Sequence, residues 1–211
     1  MRLAVFGATG GTGRSVIEQA LEAGNKVTAL ARRPEALDGL ADRVTVVAGD
    51  VLEPADVARA VDGAEVVVSA LGIGMHRHAT TVYSQGTANI LAAMAEQGVR
   101  RLLVVSTSSL EIPAPRRPAE WALAKLLLHN ILRKPYADMA VMERHVRESD
   151  ADWTLVRAAR LTKGPRTGRY RTSRNAKLPG CWSISRADVA DFLLGSAAEP
   201  ETFRATIEIA Y

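Results

Sequence analysis

The regular alternation of short apolar runs with helical patterns restricts the fold of this chain more than any other feature of its sequence. The runs are almost continuously apolar, which is typical of strands buried on both faces of a parallel sheet. They cover Leu3 to Phe6, Lys26 to Ala31, Val44 to Ala48, Glu65 to Ala70, Arg101 to Ser106 and Trp153 to Arg157. The segments between them are long enough for right-handed helical crossovers. The sequence therefore predicts an α/β fold built on a doubly wound parallel sheet.

Helical patterns separate or follow these runs. They cover Thr12 to Ala23, Pro54 to Val61, Thr80 to Gln97, Ala119 to Leu132 and Pro135 to Ser149. Glycine and proline then interrupt a basic segment, about residues 158–184, before a last helix and strand. We predict a single domain over residues 1–211 in which this segment forms a small C-terminal cap on the substrate side. Ser185 and Asp188 have capping-box spacing, so Ser185 is predicted to cap the last helix.

Composition excludes several classes of protein. A chain of 211 residues can bury a complete core as one domain, without disulfides or structural metal. Cys181 is the only cysteine, which excludes an internal disulfide and a cysteine-rich zinc site. No charged and apolar leader precedes the first strand pattern, and the apolar runs are far shorter than the roughly 20 residues of a membrane helix. We therefore expect a cytoplasmic protein that does not enter membranes.

The net charge of +4 is concentrated in one segment. Residues 153–180 contain eight basic residues and no acidic residue, so the rest of the chain is net acidic. This concentration favours a nearby anionic ligand over nucleic-acid binding, which uses a broader basic surface with interleaved aromatic residues. A solvated basic loop is the alternative.

A glycine-rich turn, FGATGGTG, follows the first apolar run and opens the first helical pattern. Gly7 would permit the tight turn, Gly10 would let the backbone approach a pyrophosphate, and Gly13 would allow close packing of helix on strand. The phosphate charge would lie at the helix N-terminus. Further amide and hydroxyl donors would come from Thr9, Gly11 and Thr12. A turn without a ligand is the alternative, and a Walker loop is excluded because no GK[ST] follows.

Two arginines follow the second strand, where a cofactor with a free ribose 2′-hydroxyl usually meets an acidic residue. Arg32 and Arg33 can instead form forked hydrogen bonds with a 2′-phosphate, so the sequence predicts NADP(H) as the cofactor. The alternative is that they are ordinary loop charges. Asp50 and Val51 follow the third strand and would border the adenine, although Asp50 could also cap a turn.

Several motifs resemble the NAD(P)H-binding, NmrA-like branch of the atypical short-chain dehydrogenases. They are FGATGGTG, ARRP, GDVLEPADV, SQGTANILAAM, VSTSS, RESDADWTLVR and ISRADVADF. Within that branch, the size and motif order are most similar to the biliverdin reductase B group, also called NADPH flavin reductases. The resemblance implies a Rossmann fold with NADPH across the strand ends, and flavins or linear tetrapyrroles as acceptors.

The resemblance also implies residues near the nicotinamide. Ser108, after the fifth strand, matches a serine beside the nicotinamide and is a candidate catalytic residue. Its competitors are Thr107 and Ser106, and we expect Ser106 to contact the cofactor. Arg160 is the second catalytic candidate; it replaces a histidine that faces substrate in the biliverdin reductase B group, a departure that argues against biliverdin itself. An arginine can bind a carboxylate or phosphate but cannot donate a proton at neutral pH, and a solvated loop arginine is the alternative.

The loop after the fourth strand is expected to pass against the cofactor at Leu71 and Gly72. His76 and His78 follow in the same loop. Two histidines at i and i+2, without carboxylate or thiolate partners nearby, seldom bind a metal. We therefore expect a mobile loop and no metal.

The chain lacks the YxxxK pair of ordinary short-chain dehydrogenases, in which a lysine one turn away lowers the proton affinity of the tyrosine. Ala140 replaces that lysine after Tyr136, so we expect Tyr136 on the helix surface or in packing. Reduction of a simple ketone is therefore disfavoured, whereas reduction of a flavin ring nitrogen can take its proton from solvent.

These features predict an NADPH-dependent oxidoreductase that passes hydride to a planar conjugated acceptor, such as a flavin, a quinone or a tetrapyrrole-like compound. An anionic acceptor would suit the basic segment. The alternative is a non-catalytic redox sensor that binds NADP(H) and acts through a protein partner. We expect a monomer or weak homo-oligomer.

Overall fold

The computed structural model describes residues 1–74, 79–110 and 118–211, with the backbone alone at residues 41 and 118–132. Its strands are β1 (Arg2–Phe6), β2 (Lys26–Ala31), β3 (Thr45–Ala48), β4 (Val66–Ser69), β5 (Arg101–Thr107), β6 (Asp152–Ala158), β7 (Arg160–Thr162), β8 (Arg171–Arg174), β9 (Ser183–Ser185) and β10 (Ala205–Ala210). Its α-helices are α1 (Gly11–Glu22), α2 (Pro54–Val61), α3 (Ser84–Glu96), α4 (Pro118–Glu148) and α5 (Arg186–Gly195). No helix in the described part of the chain is long and apolar enough to cross a bilayer.

The helices predicted from 119 to 132 and from 135 to 149 are one helix, α4, so that prediction was wrong. Pro135 lies inside α4 and is buried. An interior proline removes a backbone donor and crowds the preceding turn, which costs about 3 kcal/mol. The C-terminal half of α4 offsets this cost because Met139, Met142 and Val146 pack into the core.

The main sheet has eight strands in the order β3-β2-β1-β4-β5-β6-β10-β8. All neighbouring pairs are parallel except β10 and β8 at one edge. The strand order reverses between β1 and β4, which is the switch point of a doubly wound sheet, and connections leave on opposite faces there. The predicted α/β fold with a mostly parallel sheet is confirmed.

Helices cover both faces of the sheet, and each face has its own apolar core. On one face α1 packs against α5, through residues such as Val16, Ile17 and Leu193. On the other face α3 packs between α2 and α4, through residues such as Ile90 and Met94. Both faces of β1 and β4 are therefore buried, which explains why β1 is apolar from Leu3 to Phe6 and β4 from Val66 to Val68.

The basic segment, predicted as a substrate-side loop or cap, contributes strands to both sheets. Its strand β8 extends the main sheet, whereas β7 pairs with β9 in a small parallel sheet. Asp188 fixes this region: its carboxylate accepts hydrogen bonds from the backbone N–H groups of Thr167 and Gly168 and from the hydroxyl of Tyr211. The Asp188 N–H donates to Ser185 Oγ at 2.9 Å, so the predicted cap of α5 is confirmed.

Candidate functional site

A cleft of about 570 Å³ opens at the carboxyl ends of the strands, where the strand order reverses. This is the place where doubly wound sheets bind their ligands. Most of the residues that the sequence predicts to bind a cofactor line the cleft. They are Gly7, Thr9, Gly10, Gly11, Thr12, Arg32, Arg33, Asp50, Val51, Leu71, Gly72 and Ser106. The fold thus brings to one space residues from the ends of five strands.

The glycine turn requires glycine for steric reasons. Gly7 has a φ of +76°, and an added Cβ would lie 2.2 Å from the carbonyl oxygen of Ala70. A Cβ on Gly13 would lie 2.2 Å from the carbonyl oxygen of Gly7, so Gly13 serves the packing of α1 on β1 and does not line the cleft. Gly10 and Gly11 start α1 and leave its N-terminus open to the cleft. This arrangement suits a phosphate group.

The end of β2 presents two cations to the cleft. Arg32 and Arg33 are both exposed, and neither forms an ion pair within the part of the chain that the structure describes. Two guanidinium groups without carboxylate partners favour an anionic ligand at this end of the cleft.

The loop after β3 is fixed by hydrogen bonds that involve its own carboxylate. Asp50 Oδ1 accepts from the Leu52 N–H at 3.1 Å, and the Asp50 N–H donates to Asp56 Oδ2 at 2.9 Å. Asn89 on α3 donates to the Val51 carbonyl at 2.9 Å. Asp50 therefore caps a turn and also lines the cleft, and its contact with the adenine stays a prediction.

A buried ion pair lies behind the end of β5. Ser106 Oγ donates to Glu143 Oε1 at 2.7 Å, and Arg157 donates to both carboxylate oxygens of Glu143 at 2.9 and 2.6 Å. Glu143 is 2% exposed and Arg157 is 6% exposed. Burial alone would raise the pKa of Glu143, but the hydrogen bonds from Arg157 and Ser106 hold that pKa below its ordinary value. Glu143 thus remains ionised and orients the Ser106 hydroxyl at the cleft wall.

Two tyrosines also line the cleft. Tyr136 is half-buried against the α3–α4 core, as predicted for packing, but it faces the cleft as well. Ala140, one turn later, is exposed, so no charged group follows Tyr136 at that position. Tyr83 was not predicted; its hydroxyl accepts from the Ile73 N–H at 3.3 Å, and burial raises its pKa. Tyr83 therefore fixes the loop after β4.

The two candidate catalytic residues lie outside the cleft lining. Ser108 begins a 3₁₀ turn after β5, and its backbone carbonyl accepts from Lys177 Nζ at 3.0 Å. Arg160 is exposed on β7. Ser106 and Thr107, the competitors from the same motif, line the cleft instead. Ser108 lies outside the cleft lining because β5 ends one residue before it, at Thr107.

Carboxylates from outside the basic segment neutralise several of its cations. The pairs are Arg157 with Glu143, Arg166 with Asp191 and Lys177 with Glu208. The other five cations of the segment are exposed and form no ion pair within the described ranges; they are Arg160, Lys163, Arg169, Arg174 and Arg171, of which Arg171 donates to the Pro179 and Gly180 carbonyls. Fewer of the segment's cations are therefore available to a ligand than the sequence suggests.

Arg186, at the start of α5, lines the cleft and was not predicted either. The sequence could have indicated this residue, because a cation in the first turn of a helix is unfavourable and suggests that it binds an anion. His76 and His78 lie outside the described residues. The described residues contain no group of three potential metal ligands.

The strand order, the glycine turn at a helix N-terminus and the two arginines after β2 define a dinucleotide-binding protein of the Rossmann type. The chain belongs to the NAD(P)H-binding family, whose sequence profile matches residues 7–200. The cleft fits this cofactor, because it combines the N-terminus of α1 at Gly10 and Gly11 with the guanidinium groups of Arg32, Arg33 and Arg186, donors that suit phosphate groups.

Two curated proteins have similar sequences. An uncharacterized protein of Mycobacterium tuberculosis is 33% identical over 178 residues, which cover 75% of this chain and 20% of that protein. The chain therefore spans about a fifth of the length of that relative. The reductase pytE of Aspergillus terreus is 29% identical over 203 residues, which cover 78% of this chain and 77% of that protein.

Solved structures support the same fold. A short-chain dehydrogenase/reductase of Veillonella parvula in complex with NADP has a TM-score of 0.79 at 23% identity, and the match covers 100% of this chain and 94% of that one. ChuY, an anaerobilin reductase of Escherichia coli O157:H7, also has a TM-score of 0.79, at 22% identity, with 100% and 97% covered. At these identities the likeness concerns the fold.

Proposed function

We propose that this chain is an NADPH-dependent reductase that passes hydride to a planar conjugated acceptor, such as a flavin, a quinone or a tetrapyrrole-like compound. The observation that carries the proposal is the cleft itself. It combines the helix N-terminus at Gly10 and Gly11 with two guanidinium groups, at Arg32 and Arg33, that form no ion pair with any residue the structure describes. A dinucleotide with an additional phosphate on its ribose satisfies both features.

The cofactor, when bound, supplies a hydride from C4 of its nicotinamide. The backbone N–H groups of the glycine turn bind the pyrophosphate, and Arg32 and Arg33 bind the 2′-phosphate. The Ser106 hydroxyl donates to Glu143, so its oxygen would accept a hydrogen bond from the cofactor at the nicotinamide end of the cleft. Tyr83 fixes the loop after β4 against the same end.

The proposed class of acceptor is supported by the residues that could donate a proton at the nicotinamide end of the cleft. Tyr136 is not followed by a lysine one helical turn later, because Ala140 occupies that position and is exposed. A ketone would need a proton from the protein as its alkoxide forms. A flavin accepts hydride at one ring nitrogen and takes a proton from solvent at another, so that the products are the reduced flavin and NADP⁺. The reductase names of pytE and ChuY agree with this class.

The exposed cations of the C-terminal segment support an anionic acceptor. Arg160, Lys163, Arg169 and Arg174 are exposed on the C-terminal segment, which reaches the cleft through Leu161. Exposed cations attract an anion from a distance and add little to its affinity once it is bound. We therefore assign these residues to steering rather than to contact.

The proposal is tested by the oxidation of NADPH with a panel of acceptors: riboflavin, flavin mononucleotide, a quinone, a linear tetrapyrrole and a simple ketone. We expect turnover with at least one planar acceptor and none with the ketone. Loss of the reduced nicotinamide absorbance must depend on the protein and be slower with NADH. Binding of NADPH without turnover on any planar acceptor would contradict the proposal.

A further inference from the structure

The side chain of Arg186 crosses from α5 to the N-terminus of α1. A Cβ added to Gly11 would lie 2.6 Å from Arg186 Cδ and 3.0 Å from its Nε. Gly11 is the first residue of α1, and both residues line the cleft. The absence of a side chain at Gly11 therefore makes room for the arginine over the first turn of α1.

The position of Arg186 is electrostatically unfavourable unless an anion is present. A helix N-terminus carries about half a positive charge, and Arg186 begins α5 while its side chain reaches the N-terminus of α1. The Asp188 carboxylate in the first turn of α5 offsets the charge at that helix N-terminus, where it accepts from Thr167, Gly168 and Tyr211. Beside the glycine turn, the Arg186 guanidinium and the N-terminus of α1 bring two positive groups together.

Most of the hydrogen-bonding capacity of Arg186 remains for a ligand. One terminal nitrogen donates to the Thr162 carbonyl at 3.0 Å. Arg186 has no carboxylate partner in the part of the chain that the structure describes. A guanidinium carries five N–H groups in a fixed plane, and pairs of them match the oxygens of a phosphate.

We propose that Arg186 binds the pyrophosphate of the cofactor over the N-terminus of α1, and that Gly11 is kept without a side chain to admit it. The pyrophosphate is the anion that folds of this type bind at that helix N-terminus. Arg32 and Arg33 follow a different strand, β2, and bind the 2′-phosphate. Arg186 and this pair of arginines therefore bind different phosphates of the cofactor. The inference rests on NAD(P)H binding and is independent of the acceptor.

The test measures the affinity for NADPH and for NADH by cofactor fluorescence, without any acceptor. Arg186→Ala is expected to raise both Kd values about tenfold or more and to leave their ratio unchanged, since both cofactors carry the pyrophosphate. Arg186→Lys keeps the charge without the planar fork and is expected to lose less. Arg43→Ala is the control, because Arg43 is exposed just before β3, at the opposite end of the strands.

Two results would overturn the proposal. One is unchanged affinity for both cofactors in a folded Arg186→Ala or Arg186→Lys protein. The other is a loss confined to NADPH, because it would assign Arg186 to the 2′-phosphate. Folding is checked by circular dichroism and thermal melting without cofactor. Arg186→Lys serves as the test if the alanine variant does not fold.

A double-mutant cycle tests the role of Gly11. Gly11→Ala adds a methyl group that displaces the Arg186 side chain, so it is expected to weaken the binding of both cofactors. In the Arg186→Ala background the same change is expected to add little, because the displaced group is already absent. Additive losses in the double variant would contradict the proposed accommodation of Arg186 by Gly11.

Discussion

The polar side chains in the cleft and behind its wall fall into two groups that differ in where their partners lie. The buried Glu143 and Arg157 find their partners inside the protein. Arg32 and Arg33 lie in the cleft without carboxylate partners in the described ranges. The first group gives the site its shape, and the second is available to a ligand.

The second group gives a prediction about cofactor choice. Each hydrogen bond from a guanidinium to a phosphate contributes about 1.5 to 3 kcal/mol, which is roughly tenfold or more in affinity. Arg32→Ala with Arg33→Ala is therefore expected to weaken NADPH binding strongly and to spare NADH. Titration of both cofactors by fluorescence measures this. Equal losses for the two cofactors would contradict the assignment of these arginines to the 2′-phosphate.

Tyr136 gives a second prediction, since its side chain lines the cleft without a lysine partner. If solvent supplies the proton, Tyr136→Phe leaves kcat/KM with the best planar acceptor nearly unchanged. Steady-state kinetics measure this, with melting temperature and NADPH affinity as controls. A fall of about 100-fold, in the range of a lost general acid, would show that Tyr136 donates the proton.

Three elements meet at Glu143, which connects α4 to the ends of β5 and β6 through Ser106 and Arg157. Removing one partner of a buried ion pair leaves the other charge without compensation, which costs about 3 to 5 kcal/mol. Glu143→Gln is therefore expected to lower the free energy of unfolding by about that amount at neutral pH, measured by urea denaturation.

The same ion pair should make this difference depend on pH. The folded protein holds the pKa of Glu143 below its ordinary value of 4.5, so the unfolded chain binds the proton more readily. The stabilisation is fully present above 4.5 and is lost as the pH falls through the lower, folded-state pKa. The difference in the free energy of unfolding between wild type and Glu143→Gln is expected to decrease as the pH falls below 4.5. The control is Glu18→Gln, which removes an exposed pair with Arg14 and should change stability little at any pH. A gap that stays constant in acid would contradict this account.

The elements could be predicted where the local sequence determines them. The strand runs and the glycine turn are contiguous signals, and the capping role of Ser185 depends on a neighbour three residues away. The continuity of α4 could not be predicted, because Pro135 is unfavourable locally and is tolerated through packing with distant residues. Local rules fail where tertiary packing outweighs them.

The site could be predicted in part for the same reason. The glycine turn, Arg32 and Arg33 can be recognised because each directly follows a predicted strand. Tyr83 and Arg186 come to the cleft from helices that are distant in sequence, and only the fold shows that they meet it. The motif around Ser108 can be located in the sequence, but the point at which β5 ends, and hence which of its hydroxyls line the cleft, depends on main-chain geometry.

At the scale of the whole molecule, the exposed cations of the C-terminal segment predict an effect of salt. Screening acts over about 8 to 10 Å at physiological ionic strength, so steering weakens as salt rises. Flavin mononucleotide is expected to have a higher kcat/KM than riboflavin at low salt, and this preference should decrease with added salt. Arg160→Ala with Lys163→Ala should reduce it without changing NADPH affinity. Equal reaction of the two flavins at low salt would contradict an anionic acceptor.

The central claim is that a nicotinamide bound in this cleft gives its hydride to a planar acceptor. A single-turnover experiment tests this claim most directly: the protein–NADPH complex is mixed, without oxygen, with the best acceptor from the panel. We predict that the reduced nicotinamide and the oxidised acceptor disappear at the same rate and in equal amounts, and that NADPH deuterated at C4 slows both. An acceptor that remains oxidised while NADPH stays bound would contradict the claim.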